Sequence, residues 1–526
     1  VFIRNRYLPP LAAVASISVL AGCGVFSSDA SGDEKPVVVG TTSAPATLDP
    51  AASWDNSWEL FRNVYQTLLN YSPGASEPEP DAAESCAFTD SSSTVYSCTL
   101  REGLKFSNGD RLDAKAVKHS FDRIRSINVN GGPAGLLATL DRVQAKSDRE
   151  VVFHLSQPDA TFPLVLTTPA MSIVNPDEYP ADELRKDGRI SGSGPYGLSS
   201  YEEGKKAELV RNGNYKGIAD RKNNAVTIRY FQQSDEMVKA LKDKQISVIY
   251  RGLGASDTVD IEVNQKAEGL QLVANPTTEI SYLVFNPSDP WAAKPAVRKA
   301  VAQVIDRPAL AHNIYKDTVE PLYSMVPRGL VGHTNGFLDD FGTPSVTKAK
   351  SILTEAGITD RVPLTLWYAT DRYGSTTKPA FEELKRQLEA SELFTVTLKS
   401  RPWKTYVEGY QKGEYPVFGR GWFPDFNDAD NFIAPFVGQQ NALGTPYDSP
   451  EITGKLLPQS RAESDRAAVA DQIVAAQRIL VDDARLVPLW QGKQYVAANE
   501  EIAGLEKVID PATMMVMWEL SWKTAW

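Results

Sequence analysis

An α/β protein of more than one domain is what this sequence predicts, on three observations. The chain has 526 residues, too many for one ordinary hydrophobic core, so two or three domains are expected. Its second half alternates helix-spaced apolar residues with short β-branched and aromatic runs, the pattern of a largely buried sheet covered by helices. Hydrophobic content of 42% and charged content of 23% sit near the soluble globular average, which argues against wholesale disorder and against a polytopic membrane protein. A formal net charge of -11 makes nucleic acid an unexpected partner.

At the N-terminus, the apolar run 8–21 follows Arg4 and Arg6 and is short for a membrane span, which reads as an export signal. It ends in Leu20-Ala21-Gly22-Cys23, similar to the lipobox of bacterial lipoproteins. Residues 1–22 are therefore expected to be a lipoprotein signal peptide, with Cys23 carrying the lipid; two acyl chains anchor stably where one is marginal. Residues 23–36, rich in Ser, Gly and Asp, read as a flexible tether.

The folded body is expected from Val37. Val37-Val38-Val39-Gly40 is a short apolar strand, and Phe61, Val64, Tyr65, Leu68 and Leu69 recur at helical spacing. Cys86 and Cys98 lie in two strand-like runs, 84–88 and 94–100, joined by the polar turn 90–93. In such a hairpin they stand opposite each other, and export leads to oxidising surroundings where a disulfide persists. Asp113 is placed to cap a helix carrying Val117, Phe121 and Ile124 on one face.

Here a family resemblance emerges. Pro80-Asp81-Ala82-Ala83-Glu84-Ser85, the hairpin, Thr99-Leu100-Arg101-Glu102-Gly103-Leu104-Lys105-Phe106, the Gly109-Asp110 turn and the helix through Ala116-Val117 occur in that order. Ser193-Gly194-Pro195-Tyr196, Tyr282-Leu283-Val284-Phe285-Asn286 and the stretch from Pro295 to Ile305-Asp306-Arg307 follow. Together they resemble the large extracellular solute-binding proteins of peptide and nickel ABC importers (family 5), over residues 37–526. Cys86 and Cys98 stand where that family usually has Trp and Phe, an exchange of two facing apolar positions that supports a bridge. Ser247 stands where the family often has Asp.

The remaining elements follow from local pattern. Val297, Ala300, Val301, Val304 and Ile305 make a helix face with Pro295 at its start. Val346, Ala349, Leu353 and Ala356 make another, stopped by Gly357. Strands are expected at 364–368 and 394–398, helices through Phe381, Leu384 and Leu388 and through Val469, Ile473, Ala476 and Leu480, and a closing strand at 487–490.

Residues 419–432 stand apart. Gly419, Gly421 and Pro424 interrupt any period, so the whole stretch reads as a loop. It carries Trp422, Phe423, Phe426 and Phe432 beside Asp425; apolar walls with one carboxylate suit a cationic ligand, although the same residues serve equally well as core rings and solvated acids.

The resemblance implies a two-lobed periplasmic-binding-protein-like α/β fold of the type II large cluster, hinged by two chain crossings. Its expected division is 37–59 for the start of lobe I, 60–188 for an extra domain, 189–278 for the second part of lobe I, 279–486 for lobe II and 487–526 for the return to lobe I. It implies capture of a short peptide between the lobes and delivery to an ABC permease and its ATPase by a monomer held outside the bacterial cell membrane through its lipid. In dipeptide-binding relatives a Trp, two residues and an Asp that pairs with the ligand's amino terminus lie in the pocket loop, a pattern that falls on Trp422 and Asp425. Phe423 would wall the site, with Trp403, Tyr406 and Tyr410 as further wall residues. Arg372, Arg401 and Arg420 are equivalent candidates for the ligand's carboxylate.

Neither enzyme chemistry nor a metal or cofactor is expected. His119, His154, His312 and His333 are scattered without metal-ligand spacing. Ser193 lacks the glycine two positions before it that a nucleophile elbow requires, since Ser191 stands there, and Gly492-Lys493 and residues 425–430 fail the spacings of a phosphate loop and a calcium hand. The rival readings are a metal chelate or an oligosaccharide on the same scaffold, or a lipid-anchored hydrolase.

Overall fold

Two long strands, Leu270–Phe285 and Leu486–Asn499, pair antiparallel and carry the architecture. In a computed structural model, which describes residues 35–52, 57–72, 74–129, 132–439 and 441–523, they lie at the middle of an eleven-stranded sheet. The expected signal peptide, the lipid site Cys23 and residues 23–34 of the expected tether lie outside the described residues.

On one flank Leu486–Asn499 meets Val248–Tyr250, followed by Val37–Thr41, Ala225–Tyr230, Lys206–Arg211 and Tyr196–Glu202. On the other flank Leu270–Phe285 meets Val417–Trp422, followed by Val362–Ala369 and Phe394–Arg401. Each flank contains parallel pairs, while the two central strands are antiparallel to each other. Helices such as Pro295–Val304, Thr377–Ala390 and Ala470–Asp483 bury their apolar faces, as α/β layering requires.

The molecule thus has two lobes, and the central strands run from one to the other. The first lobe's core joins Val39, Ile228 and Tyr250 to Phe121 and Phe153; the second contains separate clusters around Leu283, Leu366 and Leu384 and around Tyr282, Phe418 and Phe432. The pairing of the central strands slips at the crossing: Pro276 faces Lys493 but Ile280 faces Gln491. Three residues, 277–279, therefore stand opposite Gly492 alone, a bulge of the kind that bends a strand and re-aims its side chains.

A second sheet in the first lobe orders Ala83–Phe88, Val95–Leu100, Glu150–Leu155 and Leu140–Ala145. Cys86 pairs with Cys98 in its register and the two form a disulfide. Helix Ala114–Ile127 lies against this sheet, capped by Asp113, whose carboxylate accepts from the N–H groups of Lys115 and Ala116. The same helix is tied to the rest of the lobe by a buried fork: Arg123 donates to both oxygens of Asp49 at 2.7 and 2.6 Å.

Two sequence expectations are corrected. The helix through Phe61 to Leu69 is shorter, Ser57–Val64, and Leu69–Asn70 is a strand paired with Glu79–Pro80. Long-range bonds override the helical spacing, because the Val64 carbonyl accepts from Gly194 and the Leu68 carbonyl from Asp81 and Ala83. The stretch 419–432 is not all loop, since Val417–Trp422 is an interior strand. Its glycines make room for rings on the sheet: a Cβ at Gly419 would stand 2.2 Å from the Phe381 ring and one at Gly421 2.7 Å from Tyr373.

Candidate functional site

The loop that leaves Val417–Trp422 is held from behind by one side chain. Asn431 accepts from the Trp422 indole N–H (3.1 Å) and the Asp425 main-chain N–H (2.9 Å), and its amide donates to Asp425 Oδ2 at 2.8 Å. The Asp425 side chain, in a residue only 2% exposed, is thereby oriented. Asp428 and Asp430, its neighbours in the loop, are each gripped by both arms of an arginine, Arg466 and Arg461 respectively, at 2.8 to 2.9 Å. Although its anchors belong to the second lobe, the loop reaches the first: Phe426, 3% exposed, packs into that lobe's core.

Arg251 of the first lobe meets this loop. It follows strand Val248–Tyr250 directly, at the strand's carboxyl end, where open α/β sheets place ligands. Its φ is +60°, and Thr513, at +67°, is also left-handed. Such strain persists only where surroundings over-determine it, and here the guanidinium donates to the Thr513 carbonyl and hydroxyl at 3.0 and 2.9 Å and to the Tyr250 hydroxyl at 2.9 Å. Glu59 supplies the counter-charge at 2.6 Å. The outer face of the guanidinium lies 4.4 Å from the Phe423 ring centre, and Arg372 of the second lobe lies 5.2 Å from that same ring.

Glu279, in the bulge of the crossing strand, completes the junction. Burial pushes its carboxyl up to about 7, with Arg251 and Arg372 acting in the opposite sense. Two further contacts join the lobes: the Ala160 N–H donates to the Arg461 carbonyl at 2.7 Å, and the Ala255 N–H to the Thr376 hydroxyl at 3.2 Å.

The residues singled out from sequence take different positions. Phe423 and Trp403 are half-buried and both lie against Arg372, the latter at 5.4 Å. Trp422 is buried edge-on to Phe436. Tyr406 is fully buried in the second lobe and donates to the carbonyls of Gly419 and Trp367, while Tyr410 stacks on Phe418 behind it. Of the three arginines, Arg401 pairs with Glu414 at 2.9 Å, and Arg420 packs between Tyr410 and Trp422 and donates to the Ala442 carbonyl. Arg372 meets rings, and its Nε is buried without a hydrogen-bond partner among the described residues.

A two-lobed α/β molecule with its charged and aromatic groups gathered at the lobe junction is the setting for the comparison with known proteins. The model of the bacterial extracellular solute-binding proteins, family 5 Middle, matches residues 77–444. The chain belongs to this family.

Among family 5 relatives, the "Probable D,D-dipeptide-binding periplasmic protein DdpA" of Escherichia coli K12 is 26% identical over 508 residues, 91% of this chain and 94% of the relative. Two solved structures share the fold. The periplasmic binding protein DppA of Helicobacter pylori, in complex with the peptide STSA, superposes with a TM-score of 0.81 at 22% identity, covering 93% of this chain and 98% of its own. The murein tripeptide-binding protein MppA of Escherichia coli gives 0.82 at 19% identity, covering 94% and 99%.

Four residues of the junction of this family 5 protein escaped the sequence reading: Glu59, Arg251, Glu279 and Asn431. A signal existed for two of them. Arg251 is a charged residue immediately after an apolar strand, and Glu279 is a lone acid inside a long apolar strand. Glu59 and Asn431 look like ordinary surface polar residues in sequence, and only the fold turns them inward. Among the described residues, no group of three or more His, Cys, Asp and Glu is disposed to hold a metal.

Proposed function

We propose that this solute-binding protein captures a short peptide between its lobes and delivers it to an ABC permease with its ATPase. It does so as a monomer that catalyses no reaction, tethered outside the cell membrane through lipid on Cys23. The observation that carries the reading is the Asp425 carboxylate, oriented by Asn431 in the loop that bridges the lobes beside Phe423. A carboxylate at a partly dry junction favours an ammonium, because the charge-assisted bond is short and strong there. The peptide-binding names of the relatives agree with it.

Asp425 then takes the amino terminus of the ligand, and Arg372 its carboxylate. Arg401 and Arg420 are engaged elsewhere, whereas Arg372 faces the junction with a planar fork suited to two carboxylate oxygens. Phe423, Trp422 and Trp403 wall the first side-chain position, and Tyr406 and Tyr410 hold those walls from behind. The two central strands serve as the hinge, so that the ligand meets both lobes only when they are shut, the domain closure by which periplasmic binding proteins as a class enclose their ligands.

Native mass spectrometry of residues 37–526, purified without added ligand, tests the reading. Peptides of narrow length released on denaturation support it, as does loss of binding when the peptide amine is acetylated. A released sugar or metal chelate, or peptide fragments generated during incubation with the protein, overturns it.

A further inference from the structure

The helix Ala255–Glu268 of the first lobe begins without a cap of its own. Its N-cap residue is Gly254, which has no side-chain oxygen to offer the helix's first N–H groups. The Asp257 carboxylate turns back to the Gly254 N–H at 3.1 Å and also accepts from the Ser234 hydroxyl at 3.1 Å. The Ala255 N–H instead donates across the junction, to the Thr376 hydroxyl of the second lobe at 3.2 Å. Thr376 itself stands at the N-cap of helix Thr377–Ala390 and makes no side-chain cap bond there. Its hydroxyl oxygen thus serves the helix of the opposite lobe and not its own.

Gly254 has φ −75° and ψ 160°, a conformation open to any residue, so its backbone does not call for glycine. The opposite lobe does: a Cβ there would stand 2.5 Å from Ser375 Oγ. The segment that presses on it, 371–376, is fixed within the second lobe. The Asp371 carboxylate accepts from the Trp403 N–H at 2.7 Å, and the Thr377 N–H and hydroxyl donate to the Gly374 carbonyl at 3.2 and 2.9 Å. Tyr373 packs on Gly421 and stands edge-on to Trp403 with 5.7 Å between ring centres. The same segment carries Arg372, placed over the rings of Phe423 and Trp403.

We infer that segment 371–376 is a latch between the lobes, with Thr376 as its positioning residue: the Thr376 hydroxyl completes the first lobe's helix only when the lobes are shut, and so holds Arg372 at the ligand site. The role given to Arg372 rests on the proposed peptide reading. When the lobes part, the Ala255 N–H and the Thr376 hydroxyl both return to water, so the shared cap favours the shut state alone. A ligand enclosed by closure then leaves more slowly while the cap is made, and its arrival is little affected. Gly254 is the other half of the device, since any side chain there meets Ser375 before the cap can form.

Stopped-flow release of alanine di- to pentapeptides, followed by tryptophan fluorescence, tests the latch. Thr376→Val keeps the side chain's shape and removes the acceptor. Release is expected to speed up about three- to tenfold, the worth of a helix cap, with association rate and melting temperature close to wild type. Thr376→Ser is expected to release slowly again. Gly254→Asn is expected to weaken binding although Asn caps a helix better than Gly, and Ser375→Gly in the same chain to recover part of the loss. Wild-type release in Thr376→Val, or wild-type affinity in Gly254→Asn, overturns the latch and leaves the peptide reading standing. Binding of no peptide by the wild-type protein overturns that reading. Small-angle scattering of the ligand-free Gly254→Asn protein then decides the latch by itself: a larger radius of gyration supports it and an unchanged one overturns it.

Discussion

The Arg251 guanidinium of the first lobe stacks on the Phe423 ring of the second with 4.4 Å between charge and ring centre. The contact joins a strained, multiply bonded arginine to the residue two positions before Asp425, so closure of the lobes and presentation of that carboxylate share one interaction.

Phe423→Ala removes this stack and the Arg372 contact at 5.2 Å on the same ring. Each cation–π contact is worth about 0.5 to 2 kcal/mol. The ligand-free variant is expected to spend more time open, read as a larger radius of gyration in small-angle scattering, with thermal stability little changed. A wild-type scattering curve would show that the stack does not hold the lobes.

Asp425→Asn retains a carbonyl oxygen for the Asn431 amide, which now donates to Asp425 Oδ2 at 2.8 Å, but loses the charge. Folding is expected to survive, and affinity for a peptide with a free amine to fall by about 1.5 to 3 kcal/mol, the worth of a hydrogen bond to a charged group. Calorimetry decides it, and unchanged affinity removes Asp425 from the anchoring role.

Gly419→Ala puts a methyl 2.2 Å from the Phe381 ring in the second lobe's core. Over-packing of this kind costs about 1 to 3 kcal/mol, so the denaturant midpoint of the variant is expected to drop. Gly419→Ala paired with Phe381→Leu should recover part of the loss, since the smaller side chain vacates that space.

The Cys86–Cys98 bridge closes a loop with a sequence separation of 12, for which the chain-entropy account gives about 3 kcal/mol. Replacement of both by Ser is expected to lower the denaturant midpoint of the first lobe. Peptide affinity should be unaltered, because the loop that carries Asp425 is anchored in the other lobe.

Much of the fold was legible because its signals are local. The register that sets Cys86 opposite Cys98, the Asp113 cap, Pro295 in the first turn of its helix and the left-handed Gly357 after Val346–Glu355 all depend on residues a few positions apart. Expectations failed where distant partners decide. Gly419 and Gly421 resemble loop residues until Phe381 and Tyr373 are seen to occupy the space a side chain would need, and Leu69 keeps a helical spacing while its backbone belongs to a strand.

By itself the sequence determined the family's ordered motifs, the cysteine pair and the stretch that carries Trp422, Phe423 and Asp425, since each is a short run of residues whose chemistry is complete within itself. Only the tertiary structure decided that Arg251 and Arg372 both meet the Phe423 ring and that Glu279 sits in the bulge of a strand crossing between the lobes. Those relations join segments that are remote in sequence. They arise only when two strands crossing between lobes bring the segments together.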